Sequence, residues 1–308
     1  MRSLTPVNQL SLLSYINTSE ILFQGNALTS AHYEMTALQK NIFYMVQSQL
    51  GADDPTGMEY VVRVKDIMGL TNIKNPYDDL KIATETMMQK ILTIKVPDGY
   101  LQVAPFSSVQ YNTKQGTIAI SIDAKLRPFL FNLDSRFTTY GLQDALNVSG
   151  KYTKRLYEML SQWKHLGLMK ITVQELKSRL KLYDIHTEIE QYPNWDGFRR
   201  RILLPAIGEI NTKTDLSVTL YTERVNRKVA ILKWTIKVIK THALPPTLSD
   251  LHVRLVAEFN LRPDQAEYII ENFDAVFIYR KLHEIQVKNS SRRVNNMGAY
   301  TARVFGVK

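Results

Sequence analysis

Trp195-Asp196-Gly197-Phe198-Arg199-Arg200-Arg201-Ile202-Leu203-Leu204-Pro205-Ala206-Ile207-Gly208-Glu209-Ile210-Asn211, followed by two alternating runs from Leu216 to Tyr221 and from Val229 to Val238, decides the reading of this chain. At 3.6 residues per turn, Phe198, Ile202, Ala206 and Ile210 share one face of a helix, while Arg200, Arg201, Leu204, Gly208 and Asn211 turn to the other. The outer face is basic and partly bare. Phosphate oxygens and guanine edges both accept forked hydrogen bonds, so a helix with guanidinium groups and few bulky outward residues suits the major groove. In the strand runs, Ala230, Leu232, Trp234, Ile236 and Val238 alternate with Lys233 and Lys237, and Arg224, Arg227 and Lys228 lie at the turn between the runs. A basic helix followed by such a hairpin is the order of a winged helix presented to DNA. Pro205 is expected to bend the helix, and the spacing of Ala206 and Ile210 indicates that the helix continues beyond it.

Charge is distributed to match. Residues 1–150 hold 12 Lys and Arg against 13 Asp and Glu, a net of −1, whereas residues 151–240 hold 18 against 9, a net of +9, and the remainder 9 against 7, a net of +2. A field localised in this way steers a polyanion toward one block of the chain. With 308 residues and 44% hydrophobic content, two ordinary cores and a tail are expected. Cysteine is absent, which excludes disulfides, thiolate zinc sites and cysteine nucleophiles. The N-terminal segment breaks its leucines with polar residues and shows no cleavage pattern, and no run approaches the roughly 20 apolar residues of a membrane span. The expected location is the cytoplasm, with no membrane contact.

Residues 26–240 read as one module used twice. In the first copy Thr36 caps a helix carrying Leu38, Ile42, Phe43 and Val46, and Glu59 to Val64 alternates as a strand before a second helix. Asn75-Pro76 opens a third helix, expected to run to about Leu92 with Leu80, Ala83, Met87, Met88 and Ile91 inward and Lys81, Glu85 and Gln89 outward. Two strand runs follow, Thr93 to Val109, broken at Pro97-Asp98-Gly99, and Gly116 to Ile122, with Lys114 in their connection. In the second copy a helix from Ser149 to Leu166 ends at Gly167, Met169 to Thr172 forms a strand, and Thr172-Val173-Gln174-Glu175 has the spacing of a capping box. Beyond His242-Ala243-Leu244-Pro245-Pro246, two helical patterns, Leu248 to Leu261 and Pro263 to Val287, suggest an appended unit. The fold class expected is α+β: two tandem winged-helix domains with a C-terminal helical extension. The domains divide as an arm over 1–25, a first winged helix over 26–145, a second over 146–240 and the extension over 241–308.

Several stretches, taken together and in order, resemble the initiator replication proteins of iteron-bearing plasmids. They are Asn26-Ala27-Leu28, Phe137-Thr138-Thr139-Tyr140, Tyr152-Thr153-Lys154-Arg155-Leu156-Tyr157-Glu158-Met159-Leu160, Phe198 to Leu203 with Ala206 and Glu209-Ile210-Asn211, and Thr214-Asp215-Leu216. Asn295-Asn296-Met297-Gly298-Ala299-Tyr300 is similar to a short C-terminal element of several replication proteins. The resemblance implies binding of double-stranded DNA at direct repeats of a plasmid origin, opening of neighbouring AT-rich DNA, and recruitment of host replication proteins such as an initiator or helicase. It also implies monomers that initiate and homodimers that repress their own promoter, with the second winged helix making most base contacts and the first adding backbone contacts and a dimer surface.

The candidate base readers are Arg200 and Arg201, with Arg199 packing its stem beside the buried face and Asn211 on the outer face. Lys154 and Arg155, near the start of their helix, are candidate phosphate contacts, as are the wing residues Arg224, Arg227 and Lys228; Lys81, Gln89 and Lys114 are their counterparts in the first domain. The six histidines have no metal-ligand spacing, and neither His-x-His nor GxxxxGK[ST] occurs, so no metal, no cofactor and no catalytic residue is expected. A transcriptional regulator with the same winged helices, and a nicking enzyme, are the alternatives.

Overall fold

The computed structural model describes residues 21–51, 54–71, 75–130, 137–184, 187–239, 248–273, 277–278, 281–282, 284–285, 289 and 296–307. The chain divides into two compact units, one of Ile21–Ser48 with Pro55–Lys240 and the other of the C-terminal residues with Gln49–Asp54. The first unit holds both winged helices.

The first domain starts with β1 (Ile21–Gly25), which takes up the last five residues of the expected arm, then α1 (Asn26–Thr29), α2 (Ala37–Gln47), β2 (Glu59–Arg63), α3 (Val64–Gly69) and α4 (Pro76–Met88). Thr36 caps α2 by a full capping box, accepting from the Gln39 backbone N–H at 3.2 Å while the Gln39 side chain accepts from the Thr36 N–H. Pro76 occupies the first turn of α4, where its missing N–H costs nothing, with Asp78 and Asp79 beside it. After α4 come β3 (Leu92–Val96), β4 (Gly99–Val103), β5 (Phe106–Asn112), β6 (Thr117–Ile122) and β7 (Phe137–Gly141). The expected single run from Thr93 is thus a separate β3–β4 hairpin and a new strand beginning at Phe106. The three-stranded sheet is ordered β2-β6-β5, and β1 pairs with β7. Helix α4 ends four residues earlier than expected. Leu80, Ala83 and Met87 are buried as the period requires, but Met88, at the last position of α4, is exposed, and so is Ile91, where the chain has left the helix and Leu92 turns inward in β3 instead.

The second domain follows α5 (Leu142–Asn147) and α6 (Lys151–Gln162), and comprises β8 (Leu168–Thr172), α7 (Val173–Arg179), α8 (Trp195–Phe198), α9 (Leu204–Lys213), β9 (Leu216–Val225) and β10 (Lys228–Val238). Gly167 takes φ +69° at the turn into β8, a conformation that a Cβ would strain. Thr172 accepts from the Glu175 N–H and caps α7. The sheet order is β8-β10-β9, all antiparallel, with Met169 opposite Trp234 and Ile171 opposite Leu232. Phe198, Ile202, Leu203, Ala206 and Ile210 are buried, as are Leu216, Val218, Leu232, Trp234 and Ile236 on the inner face of the sheet. Each large side chain buried in this core contributes about 1.5–3 kcal/mol.

The other unit contains α10 (Leu248–Ala257), α11 (Pro263–Asn272) and α12 (Met297–Val304). The second helical pattern is interrupted at Phe273, extended at φ −129°, ψ 145°, and residues 277–278, 281–282 and 284–285 are helical again. Phe273, Phe277 and Phe305 form an aromatic cluster with centroids 5.3–6.4 Å apart. A Cβ on Gly298 would stand 2.3 Å from the Asn260 carbonyl oxygen, which explains a glycine in the Asn296–Tyr300 element. The linker His242–Pro246 and Asn295 lie outside the described residues.

Candidate nucleic-acid interface

The basic helix of the second domain runs without interruption from Trp195 to Lys213, but not as a regular α-helix. Arg199–Leu203 forms a π-turn in which the Leu204 N–H reaches back five residues to the Arg199 carbonyl. Pro205 supplies the reason. It has no N–H to give the carbonyl four residues back, and its ring would crowd that group; widening the turn just ahead of it removes the conflict while helical structure continues to Lys213. The turn also changes the surface. Arg199, Arg200 and Arg201 are all exposed, so Arg199 does not tuck its stem against the core as expected but joins its neighbours. Arg200 pairs with Asp196 one turn earlier, both well exposed, an interaction worth about 0–1 kcal/mol and easily exchanged for a phosphate. Farther along, Leu204, Pro205 and Gly208 face solvent, and a Cβ added at Gly208 would meet nothing within 4 Å. The outer face is open to an approaching duplex.

Asn211 does not belong to that surface. Its amide accepts from the Val218 N–H at 2.7 Å and donates to the Val218 carbonyl at 3.1 Å, pairing the helix end with β9. With both functions of the amide engaged, the expectation of a DNA contact is corrected to a structural role.

The wing turns at Asn226 and Arg227, with φ +49° and +67°, the two left-handed positions of a two-residue hairpin. Arg224, Arg227 and Lys228 are exposed around it. On the sheet face behind, Glu223 pairs with Lys233 and lies 3.4 Å from Lys170, so these two lysines are partly neutralised. In the first domain, Lys81 and Gln89 are exposed on α4 and just past its end, and Lys114 is exposed in the β5–β6 turn.

Lys154 and Arg155 lie elsewhere. Helix α6 is buried over Thr153–Ser161 and packs against α1, α2 and β7 on one side and α9 on the other. It is a spine between the domains and does not offer a surface to phosphate. Arg155, 2% exposed, donates to the Tyr33 hydroxyl at 2.8 Å, to Glu158 at 2.6 Å, and to the carbonyls of Thr29 and Ala31. Lys40 completes the cluster with an ion pair to Glu158, which also accepts from Tyr44. Burial alone pushes the Glu158 carboxyl up, but Lys40 and Arg155 outweigh it and hold the group below the ordinary carboxylate range. Lys154 is fully buried, donates to the Ala145 carbonyl at 2.6 Å, and is pushed down to about 7 by burial and by the Lys40 ammonium. Both expected phosphate contacts are therefore corrected: side chains buried to this degree, Lys154 fully and Arg155 at 2% exposure, cannot reach a phosphate at the surface. The i, i+3 spacing of Arg155 and Glu158, within a helix apolar on several sides, was the available signal.

The same spine fixes the basic helix. Glu209 accepts from the Ser149 and Gly150 N–H groups, at 2.8 and 3.1 Å, and from Lys213 at 2.8 Å. Burial opposes ionisation of Glu209, yet these bonds hold its carboxyl at about 2. Tyr157 donates to Asp215 at 2.7 Å. Thr138 donates to Asn26 at 2.8 Å, and Tyr140 to Gln24 at 2.9 Å. The stretches 26–28, 137–140, 152–160 and 209–216 are thus tied together by polar contacts that range from buried to exposed.

The sequence matches "Initiator Replication protein, WH1" over residues 21–161 and "Initiator Rep protein, WH2" over residues 172–236. The chain belongs to the initiator replication proteins. This initiator is 25% identical to the "PI protein" of Escherichia coli over 260 residues, covering 73% of the chain and 85% of the relative. It is 35% identical to the "Uncharacterized 27.6 kDa protein" of Escherichia coli, covering 63% and 85%, and 23% identical to a "Replication initiation protein" of the same organism, covering 65% of each. It functions in the initiation of plasmid replication, and its paired winged-helix domains are DNA-binding modules. Among the described residues no group of His, Cys, Asp and Glu is arranged to hold a metal, and no helix is long and apolar enough to cross a membrane.

Proposed function

We propose that this initiator binds direct repeats at a plasmid origin chiefly through its second winged helix. Arg200 and Arg201 read base edges, Arg199 joins them or grips the adjacent backbone, and Arg224, Arg227 and Lys228 on the wing hold phosphates. The observation that carries this reading is the run of three consecutive exposed arginines on a helix whose opposite face is locked into the core. Guanidinium groups held at fixed separation suit forked bonds to guanine O6 and N7 and to phosphate oxygens. Lys81, Gln89 and Lys114 add weaker backbone contacts from the first domain, whose net charge is slightly negative. Loading along the repeats opens the neighbouring AT-rich DNA and recruits host replication proteins, monomers initiate, and homodimers repress the initiator's own promoter.

Footprinting of the initiator on the DNA flanking its gene tests the reading. Protection of evenly spaced direct repeats, with helical periodicity, is the expected result. Protection of a single inverted repeat alone would point to a plain repressor.

A further inference from the structure

Beside the arginine triplet lies a cleft of about 560 Å³ between the loop Gln191–Asn194 and Gly197, Arg200 and Arg201. The loop that forms it adopts a costly conformation, with Glu188 at φ +56° and Tyr192 at φ +55°, and non-glycine residues hold that region only where surrounding bonds over-determine it. Here they do. The Gln191 N–H donates to the Leu182 carbonyl at 2.7 Å, and the Asp184 N–H to the Ile189 carbonyl at 3.0 Å. The central tie is Lys177, 2% exposed on α7. Its Nζ donates to Glu190 at 2.5 Å and to the Tyr192 carbonyl at 2.7 Å, and stands 4.9 Å from the centroid of the Phe198 ring. One buried cation therefore joins three parts: α7, the loop, and the first turn of the basic helix.

A buried lysine is poor value for stability, because desolvating the ammonium offsets most of what its bonds return. An apolar side chain would fill the space. What the lysine adds is geometry: it fixes the Tyr192 backbone, and the Tyr192 ring stands 6.0 Å from the Arg201 guanidinium, within cation–π range. Arginine otherwise loses considerable rotamer freedom when it binds, and a side chain already held in its bound orientation loses less.

We propose that Lys177 and Tyr192 are positioning residues for DNA recognition, with Tyr192 steadying the Arg201 guanidinium from the cleft side and Lys177 holding Tyr192 in place. The inference rests on the reading that the basic helix contacts DNA. Its test uses the full-length chain and a duplex that the chain itself selects from a random-sequence pool. Tyr192→Ala is expected to weaken binding of that duplex roughly three- to tenfold. Tyr192→Phe, which keeps the ring, restores the lost affinity. In an Arg201→Ala background Tyr192→Ala costs little more, since the two act as one unit. Lys177→Met reproduces the loss, but adds little in a Tyr192→Ala background, a coupling to binding that a purely structural lysine would not give. Full loss from Tyr192→Ala in the Arg201→Ala background, or no loss in the parent, overturns the proposal while the DNA reading of the helix stands. If Arg201→Ala, Arg200→Ala and Arg199→Ala all leave binding intact, the reading of the helix falls, and the proposal with it.

Discussion

Helix α4 of the first winged helix and the helix Trp195–Lys213 of the second occupy the same place in the same order of elements, yet present opposite surfaces. On α4, one lysine, Lys81, stands against Asp78, Asp79 and Glu85, and Ile82 and Met88 are exposed as well. On the second helix, Arg199, Arg200, Arg201 and Lys213 stand against Asp196 and Glu209, and Glu209 is already engaged with the start of α6. Other cations are kept inside, where the first domain packs on α6 and Lys40 meets Arg155 around Glu158. Where a cation sits is therefore as informative as how many there are, because a buried paired cation builds the protein and an exposed one meets a ligand.

The largest expected effect comes from breaking the internal cluster. Glu158→Gln leaves Lys40 and Arg155 buried without their counter-charge, a change that costs about 3–5 kcal/mol. Urea unfolding followed by circular dichroism should show that loss; a cost under about 1 kcal/mol would mean that the cluster is not held as described.

Next is the exposed triplet. Arg200→Ala should weaken binding to the selected duplex by about 1–3 kcal/mol if Arg200 reads a base, with a smaller loss on unrelated DNA. Titrations at several salt concentrations separate the two roles, because a lost phosphate contact lowers the slope of log K against log salt by about one unit. Equal losses on both DNAs would assign Arg200 to the backbone.

Lys154 turns the contrast between buried and exposed cations into a pH effect. Its pKa of about 7 in the folded chain lies below the roughly 10.4 of an unfolded lysine. Between these values the unfolded chain carries a proton that the folded chain has released, so stability rises with pH across that window, and below about 7 both states are charged and the contribution is flat. Comparing wild type with Lys154→Met by thermal melts cancels the other groups. The difference should move in favour of the wild type from about pH 7 to about pH 10, by on the order of 1 kcal/mol per pH unit at most. A difference that is constant with pH would remove the perturbed lysine.

Much of this contrast was legible in the sequence. Phe198, Ile202, Ala206 and Ile210 gave the buried stripe of the basic helix, and the alternation of Leu232, Trp234 and Ile236 gave the strand of the wing, because both depend only on local period. What escaped depends on partners distant in sequence or on backbone detail. Nothing near Lys154-Arg155 announces that Lys40 will meet Glu158, 118 residues away. Asn211 looks outward until its amide is seen on Val218. The π-turn follows from Pro205, yet period alone assigns Arg199 to the flank of the core when the widened turn delivers it to solvent. The cleft at Tyr192 needs a left-handed backbone that no local pattern indicates.

Gly208 and Lys81 test the comparison most gently. A side chain at Gly208 meets open space and replaces a residue that weakens helices, so Gly208→Leu should raise stability by about 0.5–1 kcal/mol. If the outer face of this helix enters a groove, the same variant should lose most of its DNA affinity, a stabilised protein that no longer binds. On α4, Lys81→Ala should change affinity far less than Arg200→Ala, uniformly across DNA sequences, and lower the salt slope by about one unit if Lys81 touches a phosphate. A sequence-dependent loss at Lys81 as large as that at Arg200 would show the two helices to be equivalent readers, and would remove the distinction drawn from their exposed charges.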